Sequence, residues 1–109
     1  MATRKGFAFW DPRAGAMAYV SDPDPDEGEA RFNDGKTDRQ GRFWAGKMSS
    51  KPANSLFRLD PDGSVHRMES GIYVSNGLGW SPDNQVFYFT DSEARTIYAY
   101  DFDAPSGSI

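Results

Sequence analysis

The chain has no cysteine and a single histidine among 109 residues. Disulfide stapling and thiolate metal sites are therefore excluded, and so is a zinc cluster built on several imidazoles. Basic side chains number 12 against 16 acidic ones, for a net charge of -4. Such a balance supplies no basic face to track phosphates, so no nucleic-acid partner is expected. No apolar run approaches membrane-spanning length, and Met1-Ala2-Thr3-Arg4-Lys5-Gly6 lacks the apolar stretch of a secretion signal. The expectation is a cytoplasmic protein with no membrane partner. Ser49, Ser50, Ser75 and Ser92 stand in no Gly-x-Ser-x-Gly elbow, so no serine triad is legible and no catalytic residue is assigned. A long helical pattern is missing as well.

What the chain does have is aromatic content, 15% of residues, set in short alternating runs that suit pleated, half-buried strands. One unit comes round three times: a strand end, an Asp, and a turn closed by Gly. It reads Phe7 to Gly15, Leu56 to Gly63 and Ile97 to Gly107. The copies lie roughly 40 to 50 residues apart, the period of a four-stranded propeller blade. Strands are expected at Gly6 to Trp10, Ala16 to Val20, Arg42 to Met48, Leu56 to Leu59, Val65 to Met68, Val86 to Thr90 and Thr96 to Tyr100. The fold class is all-β, and residues 1–109 are read as one partial β-propeller, about two of six blades.

A second repeat is nested in the first. Asn33-Asp34-Gly35 precedes the aromatic strand Arg42 to Gly46, as Asn76-Gly77 precedes Gln85 to Phe89. Innermost strands of a propeller line its channel and their ends carry the site. Two Asn-bearing segments from neighbouring blades are thus expected to converge.

The stretch Arg31-Phe32-Asn33-Asp34-Gly35-Lys36 through Met48, followed by Ser75-Asn76-Gly77-Leu78-Gly79-Trp80 and Phe89-Thr90-Asp91-Ser92, resembles the senescence-marker-protein (regucalcin), gluconolactonase and luciferin-regenerating-enzyme family. That resemblance implies a six-bladed propeller that hydrolyses sugar lactones with one divalent cation, whether Ca²⁺, Zn²⁺, Mn²⁺ or Mg²⁺. Carried over by motif, Asn76 matches a metal ligand, and Arg31 and Asn33 match substrate contacts. The family's Glu and later Asp ligands have no counterpart here. The sequence also departs from the family at Lys47, where Thr is usual, and at Lys51, where a carboxylate can stand.

Each of these residues also has a plainer reading. An Asn before Gly is commonly a turn residue, and Arg31 can be a solvated loop end. Asp34 is either an anchor for the site or a turn cap, and Asp38 is read as a turn. The run Asp22 to Gly28 has Pro at two positions and lacks the closing Glu of a calcium loop, so it reads as a solvated loop. His66 is placed at the surface, and Trp44 and Trp80 in blade core. Two functional classes remain: a small-sugar-lactone hydrolase impaired by its missing ligands, or a non-catalytic self-assembling or binding module. Apolar blade faces left bare by a partial ring lead to the expectation of a homo-oligomer.

Overall fold

The computed structural model describes residues 1–25 and 28–109, and they form strands without any helix. Ten strands follow one another: β1 Ala2–Thr3, β2 Gly6–Asp11, β3 Ala16–Ser21, β4 Arg31–Thr37, β5 Phe43–Met48, β6 Asn54–Leu59, β7 Val65–Ile72, β8 Ser75–Trp80, β9 Val86–Asp91 and β10 Thr96–Asp101. They make three antiparallel meanders, β1-β2-β3, β4-β5-β6-β7 and β8-β9-β10. The all-β expectation holds. The division into blades is more specific than a count of two: one complete four-stranded sheet stands between two three-stranded ones.

The threefold unit of the sequence falls on β2, β6 and β10 and the turns that follow them. After β2, Asp11 Oδ1 accepts from the amides of Arg13 and Ala14 at 2.8 and 3.2 Å. After β6, the Gly63 amide donates to the Asp60 carbonyl at 2.9 Å, with Gly63 at φ +88°. The recurring Asp organises the turn and Gly supplies the positive φ that closes it. Aligned on this unit, the first sheet lacks its innermost strand and the third its outermost.

Apolar alternation stacks the sheets face to face. Phe7 of β2 is fully buried against Phe32, Ala45, Phe57 and Leu59 of the central sheet, with ring centroids of Phe7 and Phe32 4.8 Å apart. The opposite face of the central sheet presents Trp44, Leu56 and Ile72 to Leu78, Phe87 and Phe89 of the third sheet. Trp44 and Phe87 lie 4.9 Å apart, and Trp80 and Phe87 5.0 Å. Both tryptophans therefore belong to the core between sheets.

The segment after β10 is tied back by two buried arginines. Arg42 donates to the Ala104 carbonyl at 2.7 Å, and Arg58 to the Gly107 carbonyl at 2.6 Å. Each guanidinium also holds a carboxylate of its own sheet, Asp38 at 2.7 Å and Asp60 at 2.6 Å. Asp38 is thus more than a turn residue. It accepts in addition from the Trp44 indole at 3.0 Å, which ties the core tryptophan to the ion pair.

Candidate functional site

Two strands missing from the sequence expectations, β4 and β8, carry the candidate residues. Neither has the apolar alternation of a strand, because small and polar residues occupy most of their length. Both are the first strands of their sheets, and their pairing registers shift at matching places, between Phe32 and Gly35 in β4 and between Asn76 and Gly79 in β8. A bulge bends a strand and re-aims its side chains, which is why bulges cluster at barrel rims and beside active sites. Here the two bulges face one another.

Their contact is reciprocal. Asn33 Nδ2 donates to the Ser75 carbonyl at 2.9 Å, and the Gly77 amide donates to Asp34 Oδ2 at 2.9 Å. Asp34 Oδ1 accepts from the Gly35 amide at 2.9 Å. Asp34 therefore anchors both bulges, combining the two roles open to it from sequence. Asn76 is half-buried between these partners. Its Nδ2 donates to Ser92 Oγ at 3.1 Å and its Oδ1 accepts from the Gly77 amide at 3.1 Å. Arg31, exposed at the start of β4, donates to the Phe32 carbonyl at 3.2 Å. So β4 supplies Arg31 and Asn33, β8 supplies Asn76, and a pair of hydrogen bonds fixes one strand against the other.

Glycine makes this close approach possible. A Cβ on Gly46 would overlap the Ser75 side chain, and one on Gly77, at φ +56°, would come within 2.7 Å of Thr90 Oγ1. Asp91, fully buried, closes the far side. Its carboxylate accepts from the amides of Tyr73 and Val74 at 2.9 and 3.0 Å and so holds the chain that enters β8. In the sequence Asp91 stands out only as part of the segment Phe89-Thr90-Asp91-Ser92. Its position at the end of a strand, next to a turn, was the available signal for an anchoring role.

As a cation site the donors are insufficient. Among the described residues no three His, Cys, Asp or Glu side chains come together. The carboxylates of Asp34 and Asp91 are engaged by backbone amides, and Ser75 Oγ is buried without a hydrogen-bond partner. That leaves Asn76 with one neutral oxygen, which cannot hold a hard cation that takes six or more oxygen ligands.

The two departures from the family pattern have separate fates. Lys47 is buried, with its Nζ donating to the Asp24 carbonyl at 2.8 Å, 3.6 Å from Asp22 Oδ1, and over the Phe32 ring. It fastens the acidic loop to the central sheet. Arg67 reaches the same loop, 2.5 Å from Asp24 Oδ1. Two residues of the acidic run, Asp26 and Glu27, lie outside the described residues. Lys51 is exposed in the turn before β6. His66 is half-exposed on β7, 3.1 Å from Asp60 Oδ2, in agreement with a surface role.

Comparison with known proteins places these strands in context. Residues 1–109 match the family described as SMP-30/gluconolactonase/LRE-like region. Over 80 residues, 72% of this chain and 28% of the relative, the sequence is 46% identical to pentonolactonase XacC of Haloferax volcanii. It is 42% identical to regucalcin of Danio rerio over 113 residues, covering 98% of this chain and 37% of the relative. Among solved structures, the calcium-binding protein regucalcin of Agrobacterium tumefaciens superposes with a TM-score of 0.89 at 25% identity, over 98% of this chain and 37% of that one. The chain thus spans about a third of the length of these relatives.

Proposed function

Because the chain belongs to the SMP-30/gluconolactonase/LRE-like family, we propose that it supplies one wall of a sugar-lactone hydrolase site, with Arg31 and Asn33 as substrate contacts. The observation that carries this reading is the junction of two bulged strands, where the Asn33 amide and the Gly77 amide cross between sheets. In this role the Arg31 guanidinium offers several donors in fixed geometry to sugar hydroxyl or ring oxygens. One N–H of the Asn33 amide is committed to the Ser75 carbonyl, which fixes the direction of its oxygen. A divalent cation would polarise the lactone carbonyl and acidify a water. Asn76 is the one donor this chain would bring to it, and the donor set described above does not hold a cation alone. Hydrolysis by the isolated chain is accordingly absent or very weak.

A second reading, a binding module without catalysis, is favoured by the commitment of Asp34 and Asp91 to backbone amides. Two measurements test these readings. Titration with a sugar lactone and its open acid, followed by amide chemical shifts, should perturb β4 and the start of β8, and Arg31→Ala should abolish the response. No perturbation at these strands would remove the substrate-site proposal under either reading. A lactonase assay with each of the four cations should give rates at buffer background, whereas robust cation-dependent turnover would overturn the claim of impairment.

A further inference from the structure

Asn54, the first residue of β6, is 1% exposed and belongs to neither apolar cluster. Its Nδ2 lies 2.9 Å from the Ile72 and Tyr73 carbonyls and 3.0 Å from the Lys51 carbonyl and Ser49 Oγ. Four oxygens thus converge on a nitrogen that carries two protons. The Oδ1 of the same side chain is buried with no hydrogen-bond partner among the described residues. Packing alone gives no reason for this arrangement, because an aliphatic side chain would fill the space without burying an unpaired oxygen. Asn54 therefore serves as a donor.

Its acceptors lie on two segments. Ser49 and Lys51 belong to the connection from β5 to β6, whereas Ile72 ends β7 and Tyr73 begins the link into β8. That link is gripped from both sides. The amides of Tyr73 and Val74 donate to the Asp91 carboxylate, which ties the link to the third sheet. The Tyr73 carbonyl accepts from Asn54, which ties it to the central sheet, where Asn33 stands. Backbone adds the Ser49 amide on the Tyr73 carbonyl at 3.1 Å and a bridge between Met48 and Val74. Two residues beyond Tyr73, the Ser75 carbonyl is the acceptor that holds the Asn33 amide at 2.9 Å. We propose that Asn54 is a positioning residue for Asn33: by fixing the link from Ile72 to Val74 it places the Ser75 carbonyl, and that carbonyl directs the Asn33 side chain. Buried as it is, Asn54 is out of reach of a ligand. Its effect on ligand binding rests on the substrate-contact role proposed above for Asn33, whereas its effect on the hydrogen bond between Asn33 and Ser75 does not.

Nuclear magnetic resonance on the isotope-labelled chain tests this. In the wild type, a scalar coupling across the hydrogen bond should connect Asn33 Nδ2 with the Ser75 carbonyl carbon, and the Asn54 side-chain protons should exchange as slowly as β6 amides. Asn54→Ala should lose that coupling and move the Asn33 side-chain resonances toward those of a free amide. Gluconate, the open acid of a sugar lactone, should then bind about tenfold more weakly, the scale of one lost hydrogen bond. Leu59→Ala truncates a buried side chain in the other cluster, so it should lower stability yet keep both coupling and affinity. A coupling retained in Asn54→Ala, absent from the wild type, or lost equally in Leu59→Ala would overturn the proposal. If the wild type binds neither lactone nor gluconate while Asn54→Ala still loses the coupling, the substrate-contact role fails and the positioning of Asn33 stands. Should Asn54→Ala not fold, Asn54→Ser repeats the measurement with one donor kept and should show a weakened coupling. Fast exchange of the Asn54 side-chain protons in the wild type would overturn the proposal without any variant.

Discussion

At the residue scale, glycine and aspartate hold the candidate site in place. Gly46→Ala has no room, since its methyl would overlap Ser75 and displace the strand that carries Asn76. Overpacking of this kind typically costs about 1–3 kcal/mol. Urea unfolding should show that loss, and the Asn76 side-chain amide resonances should move with it. Asp34→Ala removes the acceptor of the Gly35 amide and leaves the Gly77 amide only Asn76 Oδ1. Hydrogen exchange at Gly77 should then accelerate while β6 amides remain protected. Equal protection at Gly77 in both proteins would show that the clamp contributes nothing.

Asp38 makes a different residue-scale prediction, through pH. Burial opposes its ionised form, but hydrogen bonds from the Trp44 indole and from Arg42 outweigh that and hold its carboxyl below the usual value of 3.8. A folded-state value below the unfolded one means that this stabilisation is complete above about pH 4 and is lost as pH falls further, through the folded value. Asp38→Asn should flatten that acid limb. At neutral pH it should lose about 3–5 kcal/mol, because Arg42 is left buried and unpaired. Asp38→Leu combined with Arg42→Met should recover part of the loss. A single variant as stable as wild type at neutral pH would refute the pair's role.

At the element scale, strands legible in the sequence were those whose side chains alternate. Gly6 to Trp10, Leu56 to Leu59 and Thr96 to Tyr100 announce themselves by aromatics and a following Asp turn, and each lies in the structure within a residue or two of its expected bounds. Missing from the strand expectations, besides the two-residue β1, were β4 and β8, which fold by backbone pairing to β5 and β9 and reach the core through Phe32, Leu78 and Trp80 only. Their polar, Gly-rich composition reads as turn because function and close approach, rather than burial, select it. The convergence of Asn33 and Asn76 was readable from the nested repeat. Hidden from any linear reading were the partners of Asp91, under the chain entering β8, and of Lys47, which pins the acidic loop, since both sets are distant in sequence. Lys47→Thr, the family's usual residue, should free the loop: amide exchange at Asp22 and Asp24 should rise, with little change in β5. Unchanged exchange there would argue that Arg67 alone holds the loop.

At the scale of the whole molecule, stability is unequal between the two junctions. Trp44, Leu56, Ile72, Leu78, Phe87, Phe89 and Phe102 bind the central sheet to the third, and the Arg42 and Arg58 bonds to the final segment reinforce them. The first sheet rests on a smaller cluster around Phe7, and four of the six residues of β3 are exposed. Regions with few buried apolar contacts open at lower free energy than the global transition. The β3 amides should therefore exchange through local opening of the β2–β3 hairpin, while amides of β5 and β9 exchange only on global unfolding. Trp44→Ala, which removes a buried side chain at a typical cost of about 3–5 kcal/mol, should bring the β5 and β9 rates up and leave those of β3 nearly unchanged. Native-state hydrogen exchange with increasing denaturant resolves the two classes. If β3 is as protected as β9, the three sheets form one cooperative unit and this hierarchy is wrong.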